Sequence, residues 1–402
     1  MDFSGKTVVL GVTGGIAAYK ACDLVSRLQK KQIDVRIIMT EHACEFVQPL
    51  TFEVLSGNRV VTDMFNRDFP WEVEHISLAK AADVFAVVPA TANILGKYAH
   101  GIADDMLSTT LLATRAPVLF APAMNTAMYE NPAVQENIAA LRARGCLFVE
   151  PASGHLACGD TGKGKLADVV SIEQAILDAL TEKDMTGMRV TVTAGPTREA
   201  MDPVRFLSNH STGKMGYAIA RSAKMRGAEV TLISGPVSLP PVEGVTMVPI
   251  VSALDMRQAV MDALPQSDIV VKAAAVGDYR PMEFQDDKIK KHADDMSIAL
   301  TRNPDILAEI GQKRRDNQVI CGFSMETRDL LENSEKKLRK KNCDIMVANN
   351  LKVEGAGFAG DTNVVTLLYR DGAKEPLELM GKDSVADILL DRLVSLYQKK
   401  NV

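Results

Sequence analysis

Apolar residues open the chain as a β-branched run over 7–12, interrupted by Gly14 and Gly15. Ala17, Ala21, Leu24 and Leu28 then recur at the three- and four-residue spacing of a helix, and 35–39 returns to a continuous apolar run. Further strand-like runs stand at 84–88 and 117–121, separated by segments long enough for helices. After the polar stretch 181–187 the cycle restarts. A strand is expected over 189–193, then a long loop rich in Gly, Pro, Asn and Ser. A helix marked by Met215, Ala218, Ile219 and Ala223 follows and stops at Gly227, and 229–233 is the next strand. Later strands are expected at 269–273, 319–323 and 345–348. Strands alternating with helices predict an α/β fold. The expectation is two Rossmann-like domains, 1–188 and 189–402, each a largely parallel doubly wound sheet with helices on both faces.

Length and composition narrow the class. The 402 residues exceed one ordinary core, and 47% hydrophobic with 24% charged residues is ordinary globular usage. A formal net charge of -5 without a long basic run argues against nucleic acid and anionic membrane as partners. No apolar stretch has membrane-helix length, and the strand-like start leaves no room for a secretory signal, so a cytoplasmic protein is expected. Six cysteines without a CxxC pair fit reduced thiols better than disulfides or a zinc site.

The candidate chemistry sits where strands end. Gly11-Val12-Thr13-Gly14-Gly15-Ile16 closes a strand and opens a helix, which is a natural phosphate seat, although a tight turn would look the same. Thr40 ends the next strand at the same edge. Pro89-Ala90-Thr91-Ala92-Asn93, 104–110 and Ala121-Pro122-Ala123-Met124-Asn125 gather there too. Each is explained singly by helix capping; several in strand order favour a flat, polar ligand. His75 is a lone histidine, a type more often solvated than catalytic. Cys158 sits among four glycines in 153–164, which describes a flap whose thiol can reach a substrate and exchange a proton.

In the second half, Asn209 lies in Ser208-Asn209-His210-Ser211-Thr212-Gly213-Lys214, which opens a helix and offers an anion seat without Walker A spacing. Ala273, Ala274 and Ala275 permit close approach by a ligand, and Asp278 can accept from a ribose hydroxyl. Lys288 belongs to a basic run of a kind that is usually a solvated loop, although a nucleoside triphosphate needs such charges. Asn303-Pro304-Asp305 has the cap-then-proline form of a helix start. Lys337 and Lys341 share a helix face, which is mildly unfavourable unless an anion lies between them.

The ordered set GVTGGIAAYK, EHISLAK, PATAN, PAMN and SGHLACGDTGKGK resembles the flavin-containing cysteine decarboxylases. Over essentially the whole chain the layout resembles the bacterial family of bifunctional phosphopantothenoylcysteine decarboxylases and phosphopantothenate–cysteine ligases. The resemblance implies FMN held by Gly14, Gly15, Ile16, Thr40, Thr91, Ala92, Asn93 and Ala123. It implies a catalytic His75, an Asn125 that holds the substrate carboxylate, and Cys158 as proton donor. It further implies CTP bound by Ala273, Ala274, Ala275, Asp278, Lys288, Pro304, Asp305, Ile306, Leu307, Phe323, Lys337 and Lys341. Asn209 would serve the attack of cysteine on an acyl-cytidylate. Mg2+ would accompany CTP, 4'-phosphopantothenate and L-cysteine would be substrates, and decarboxylase trimers would join through ligase dimers. Lys165 stands where the family often has arginine. A flavin-binding regulatory protein and a flavin prenyltransferase are the rival readings. The joint presence of His75, Asn125 and Cys158 with a full second half argues against the first, and the second would leave the C-terminal half and the Cys158 flap unexplained.

Overall fold

The computed structural model describes residues 3–65, 73–155, 159, 161–290, 297–326, 329–349 and 360–401. It divides into two compact units, residues 2–182 and 183–402.

In the first unit β1 (Thr7–Val12), α1 (Lys20–Lys30), β2 (Asp34–Met39), α2 (Glu41–Cys44), α3 (Pro49–Ser56) and β3 (Val60–Val61) come first. Then follow α4 (Glu74–Ala81), β4 (Val84–Ala90), α5 (Ala92–Ala99), α6 (Met106–Ala113), β5 (Val118–Pro122), α7 (Thr126–Glu130), α8 (Pro132–Ala143) and β6 (Leu147–Phe148). A hairpin of β7 (Ala152–His155) and β8 (Thr161–Lys165) precedes α9 (Val169–Leu180). The six-stranded sheet runs β3-β2-β1-β4-β5-β6 and is parallel throughout.

Every residue of β4 is buried, which is why its sequence is a continuous apolar run instead of an alternating one. The chain leaves β1 in one direction and returns past it to β4 in the other. Right-handed crossovers then put α1 and the later helices on opposite faces. Val9, Ile38, Phe85 and Phe120 pack against Ile94 and Leu95 of α5, Leu107 and Leu111 of α6 and Ile138 of α8. Because the winding reverses between β1 and β4, a crevice opens at their carboxyl ends.

The second unit contains β9 (Arg189–Ala194), β10 (Arg198–Ala200), β11 (Phe206–Ser208), α10 (Lys214–Met225), β12 (Glu229–Ser234), β13 (Thr246–Pro249) and α11 (Ala253–Ala263). It continues with β14 (Ile269–Lys272), β15 (Tyr279–Pro281), β16 (Leu300–Arg302), α12 (Ile306–Lys313), β17 (Val319–Met325), α13 (Leu330–Lys340) and β18 (Ile345–Asn349). It ends with β19 (Thr362–Asn363), β20 (Val365–Tyr369), β21 (Lys374–Pro376), β22 (Met380–Gly381) and α14 (Lys382–Lys400). The eight-stranded sheet runs β13-β12-β9-β14-β17-β18-β20-β21, and its winding reverses between β9 and β14. β20 and β21 pair antiparallel at one edge, so this sheet is mixed. α10 and α14 cover one face with Tyr217, Ile219, Leu389 and Leu390, and α11, α12 and α13 cover the other with Met256, Ile310 and Leu338.

The far end of this sheet is fixed by a buried carboxylate. Asp344 accepts from the Ile320 amide at 2.8 Å and pairs with Arg314 and Lys400, each at 2.7 Å. Both the Arg314 and Asp344 side chains are more than nine-tenths buried. Removing the anion strands a buried guanidinium, a defect that costs about 3–5 kcal/mol. Asp344→Ala is therefore expected to lose about that much in urea denaturation of the full chain, and a loss below about 1 kcal/mol would show the pair to be dispensable.

Candidate functional site

A cleft of about 480 Å3 lies at the β1/β4 crevice. Buried Thr13 ties the two strand ends together, donating to the Pro89 carbonyl at 2.7 Å and accepting from the Thr91 amide at 3.1 Å. Gly14, Gly15 and Ile16 then line the cleft, opposite Thr91, Ala92, Ala123 and Asn125. A Cβ on Gly15 would meet nothing nearer than Thr91 Cγ2 at 3.8 Å, so it would project into the cleft and not into the protein. Asn125 caps α7, its Oδ1 accepting from the Ala127 amide at 2.8 Å.

The hairpin closes another side. The Met124 amide donates to the Gly164 carbonyl at 3.0 Å. Gly164 has φ 141°, and a Cβ there would lie 2.4 Å from the Met124 oxygen, so only glycine permits this contact. His155 and Lys165 from the hairpin join Lys20, Tyr19 and Met128 on the lining, none of which sequence reasoning assigned to the ligand. Ile16 and Tyr19 are each 60% exposed, an apolar patch at the mouth.

Three expected residues stand off this lining. Thr40 caps α2, accepting from the Ala43 amide at 3.3 Å, and Asn93 is exposed on the first turn of α5. His75 is in the first turn of α4, at the same edge of the sheet but in the helix layer that packs with α6. Cys158 lies outside the described residues.

The corresponding crevice of the second unit, between β9 and β14, holds two adjoining cavities of about 350 and 320 Å3. The construction repeats that of the first unit. Buried Thr193 accepts from the Ala274 amide at 3.1 Å, as Thr13 does from Thr91. The loops after the two strands are joined further out, where the Ala275 amide donates to the Gly195 carbonyl at 3.0 Å. Asn209 adds its Nδ2 to the Ala275 carbonyl at 3.1 Å. Asn209, Ala273, Ala274, Ala275, Phe323 and Lys337 line the larger cavity; Pro304, Asp305 and Ile306 line the smaller. Asp278 and Lys341 border both.

Leu307 is a core residue, packed with Ile306 and Ile310. Lys288 lines a different cavity, with Met201 and Ile298, because the Ile289 amide is fastened to buried Asp202 at 3.2 Å. The cap of α12 is Asp305, which accepts from the Ala308 amide at 3.1 Å, and not Asn303. Asn303 instead donates its Nδ2 to the Gly277 carbonyl at 2.8 Å. The repulsion expected between Lys337 and Lys341 is relieved by protein carboxylates, Glu326 at 2.5 Å and Asp305 at 3.2 Å. Burial opposes ionisation of Asp305, but the Ala308 amide and Lys341 hold it below the usual carboxylate range. Lys272, unremarked in the sequence because it ends an apolar strand, borders both cavities. Burial, with Lys341 and Lys337 nearby, brings its pKa down to about 8.

Residues 2–181 match the Flavoprotein family, and residues 185–397 match the family of the DNA/pantothenate metabolism flavoprotein C-terminal domain. The coenzyme A biosynthesis bifunctional protein CoaBC of Bacillus subtilis is 49% identical over 397 residues, covering 98% of this chain and 98% of its own. The Escherichia coli protein of the same description is 42% identical over 405 residues, covering 100% of both. A crystal structure of the C-terminal domain of a CoaBC protein is 41% identical, with a TM-score of 0.47, and covers 54% of this chain and 100% of its own. With two family matches in tandem and full-length relatives at this identity, the chain belongs to the family of coenzyme A biosynthesis bifunctional proteins.

Proposed function

We propose that this chain carries out two reactions of coenzyme A biosynthesis. The second domain, 189–402, uses CTP to ligate cysteine to 4'-phosphopantothenate through an acyl-cytidylate. The first domain, 1–188, decarboxylates the resulting 4'-phospho-N-pantothenoylcysteine to 4'-phosphopantetheine with FMN. The observation that carries the reading is that each unit opens a cleft at its own switch point, lined by the loops whose motifs resemble that family.

The first cleft fits FMN. Its Gly15 cradle leaves room where a side chain would stand, apolar Ile16, Tyr19 and Met128 suit a flat ring, and Lys20 and Lys165 supply positive charge. Gly14, Gly15, Ile16, Thr91, Ala92 and Ala123 would hold the cofactor, with Thr40 and Asn93 supporting from outside the lining. When bound, FMN supplies the oxidation that makes the cysteine-derived thiol end an electron sink beside the departing carboxylate, and the reverse step afterwards. Asn125 orients that carboxylate, and Cys158 delivers a proton to the product.

A homo-oligomer of decarboxylase trimers linked through ligase dimers belongs to the same proposal. It accounts for His75, which one copy keeps off its own cleft and offers to the cleft of a second. Exposed Leu50, Val54, Phe65 and Val73, each more than half accessible, support association of the first unit. No described helix is long and apolar enough to cross a membrane, which accords with a cytoplasmic location.

In the second unit the carboxylate of 4'-phosphopantothenate, a poor acyl donor, attacks CTP and leaves as the acyl-cytidylate, releasing pyrophosphate. Cysteine then displaces CMP. The alanine run lets the nucleotide approach the backbone, and Lys337 and Lys341 offset phosphate charge. Among the described residues no group of three His, Cys, Asp or Glu side chains is placed to hold a metal. Mg2+ is accordingly assigned to the MgCTP substrate. The test is mass spectrometry of products from FMN-loaded protein given 4'-phosphopantothenate, cysteine and each nucleoside triphosphate in turn. CTP should yield 4'-phosphopantetheine, CMP and CO2; no product with any triphosphate would reject the reading.

A further inference from the structure

The lysines around the second-unit cleft are not equivalent. Lys214 pairs with Asp361 at 2.7 Å, Lys337 with Glu326 at 2.5 Å and Lys341 with Asp305 at 3.2 Å, while Lys382 donates to the Gly360 carbonyl at 2.6 Å. Lys272 is the last residue of β14, partly buried, and its ammonium makes neither an ion pair nor a hydrogen bond among the described residues. A desolvated ammonium with no hydrogen-bond or ion-pair partner among the described residues is unfavourable, with only the more distant charges of Asp305 and Asp278 to offset it, so its place at the junction of two cavities suits an anionic ligand.

The strand register says where that ammonium stands. Lys272 is opposite Gly322 in β17, and paired residues project from the same face, so Ser324, two residues on, shares the face of Lys272. This is the face of α12 and α13, where Val270, Ile320, Ile306 and Leu338 pack. Ser324 is 3% exposed, lines the same cavity as Lys272, and its Oγ has no hydrogen-bond partner among the described residues. A cation and an orphaned hydroxyl on one face, below Lys337 and Lys341, together describe a seat for an anionic oxygen that can accept from both.

We propose that Lys272, assisted by the Ser324 hydroxyl, binds the phosphate chain of the nucleoside triphosphate during ligation. This rests on the assignment of the cleft to a nucleotide. Lys272 then does more than add affinity. Its pKa without ligand is about 8, set by burial first and by Lys341 and Lys337, with Asp305 and Asp278 opposing. A phosphate oxygen raises that pKa, so nucleotide binding above pH 8 takes up a proton. At pH 8.5 the uptake is expected to be a measurable fraction of a proton.

Calorimetric titration of the full chain with MgCTP at pH 8.5, in two buffers of different ionisation enthalpy, measures affinity and proton uptake together. Lys272→Met is expected to weaken binding about tenfold or more and to abolish the uptake. Lys272→Arg, permanently charged, should bind within a few-fold of the parent yet take up no proton, which a merely structural role would not produce. Ser324→Ala should weaken binding several-fold while keeping the uptake. Decarboxylation of added 4'-phospho-N-pantothenoylcysteine, unchanged in all three, reports intact protein. Should Lys272→Met not fold, the arginine variant alone decides. Unchanged affinity in the methionine variant, or uptake persisting in either Lys272 variant, overturns the proposal. If the unsubstituted chain itself gives no heat with MgCTP, the nucleotide assignment falls, and this inference with it.

Discussion

Asn209→Asp is expected to leave pyrophosphate release intact while amide product falls by about 10²–10³-fold and acyl-cytidylate accumulates. Asn209 Nδ2 gives its hydrogen bond to the Ala275 carbonyl, next to the small residues that line the cavity proposed for the nucleotide. A carboxylate cannot donate, so the substitution replaces attraction with repulsion against that carbonyl. It also places a negative charge beside an acyl phosphate whose second half-reaction develops negative charge. In the proposed reading Lys337 and Lys341, and not this amide, serve activation, so the first half-reaction is expected to persist. Rapid-quench analysis with labelled phosphopantothenate separates the half-reactions. Loss of pyrophosphate release, with normal transfer from prepared acyl-cytidylate, would reverse the proposed role.

Cys158→Ser is expected to release CO2 yet form no saturated thiol, giving an enethiol two hydrogens short of 4'-phosphopantetheine. The residue lies outside the described structure. The argument therefore rests on chemistry and on the hairpin strands that flank it, which bring His155 and Gly164 to the cleft. Loss of the carboxylate needs only the bound cofactor and a held substrate. Proton delivery comes later, and a serine hydroxyl is a far weaker acid than a thiol with an ordinary pKa of about 8.5. Product mass and CO2 are read in the same reaction. Mixing this chain with a His75→Asn chain should restore part of the saturated product, since a site using His75 from one copy and Cys158 from another escapes both lesions. Saturated thiol from Cys158→Ser alone would make the thiol a bystander, and no recovery on mixing would place His75 and its cleft in one copy.

The strands were legible because sheets buried on both faces leave continuous apolar runs. Val84 to Ala90 and Ile345 to Asn349 are examples. The antiparallel edge of β20 and β21 was not read, because β21 is a three-residue edge strand with little apolar signal and the run of β20, buried only in alternation, carries no mark of its pairing direction. Motif loops were legible for the same local reason, since glycine, alanine and asparagine at strand ends mark turns and caps whatever they bind. What each loop touches was not. Asn303 looked like a helix cap and instead joins the Gly277 carbonyl, while the cap falls to Asp305. Lys337 and Lys341 looked like a pair in need of an anion, and Glu326 and Asp305, brought in by the fold, already attend them.

By itself the sequence determined two doubly wound units, the strands whose ends carry the chemistry, and the order of the motifs, because all of these follow from periodicity and residue type along the chain. Only the tertiary structure decided which residues meet. It drew Leu307 into the core, sent Lys288 to another cavity, and left His75, on α4, off the lining of the first cleft. It also gave Lys272 its place between two cavities. A lysine ending an apolar strand is unremarkable until strand register fixes its face and packing strips its water, and both depend on segments far away in sequence.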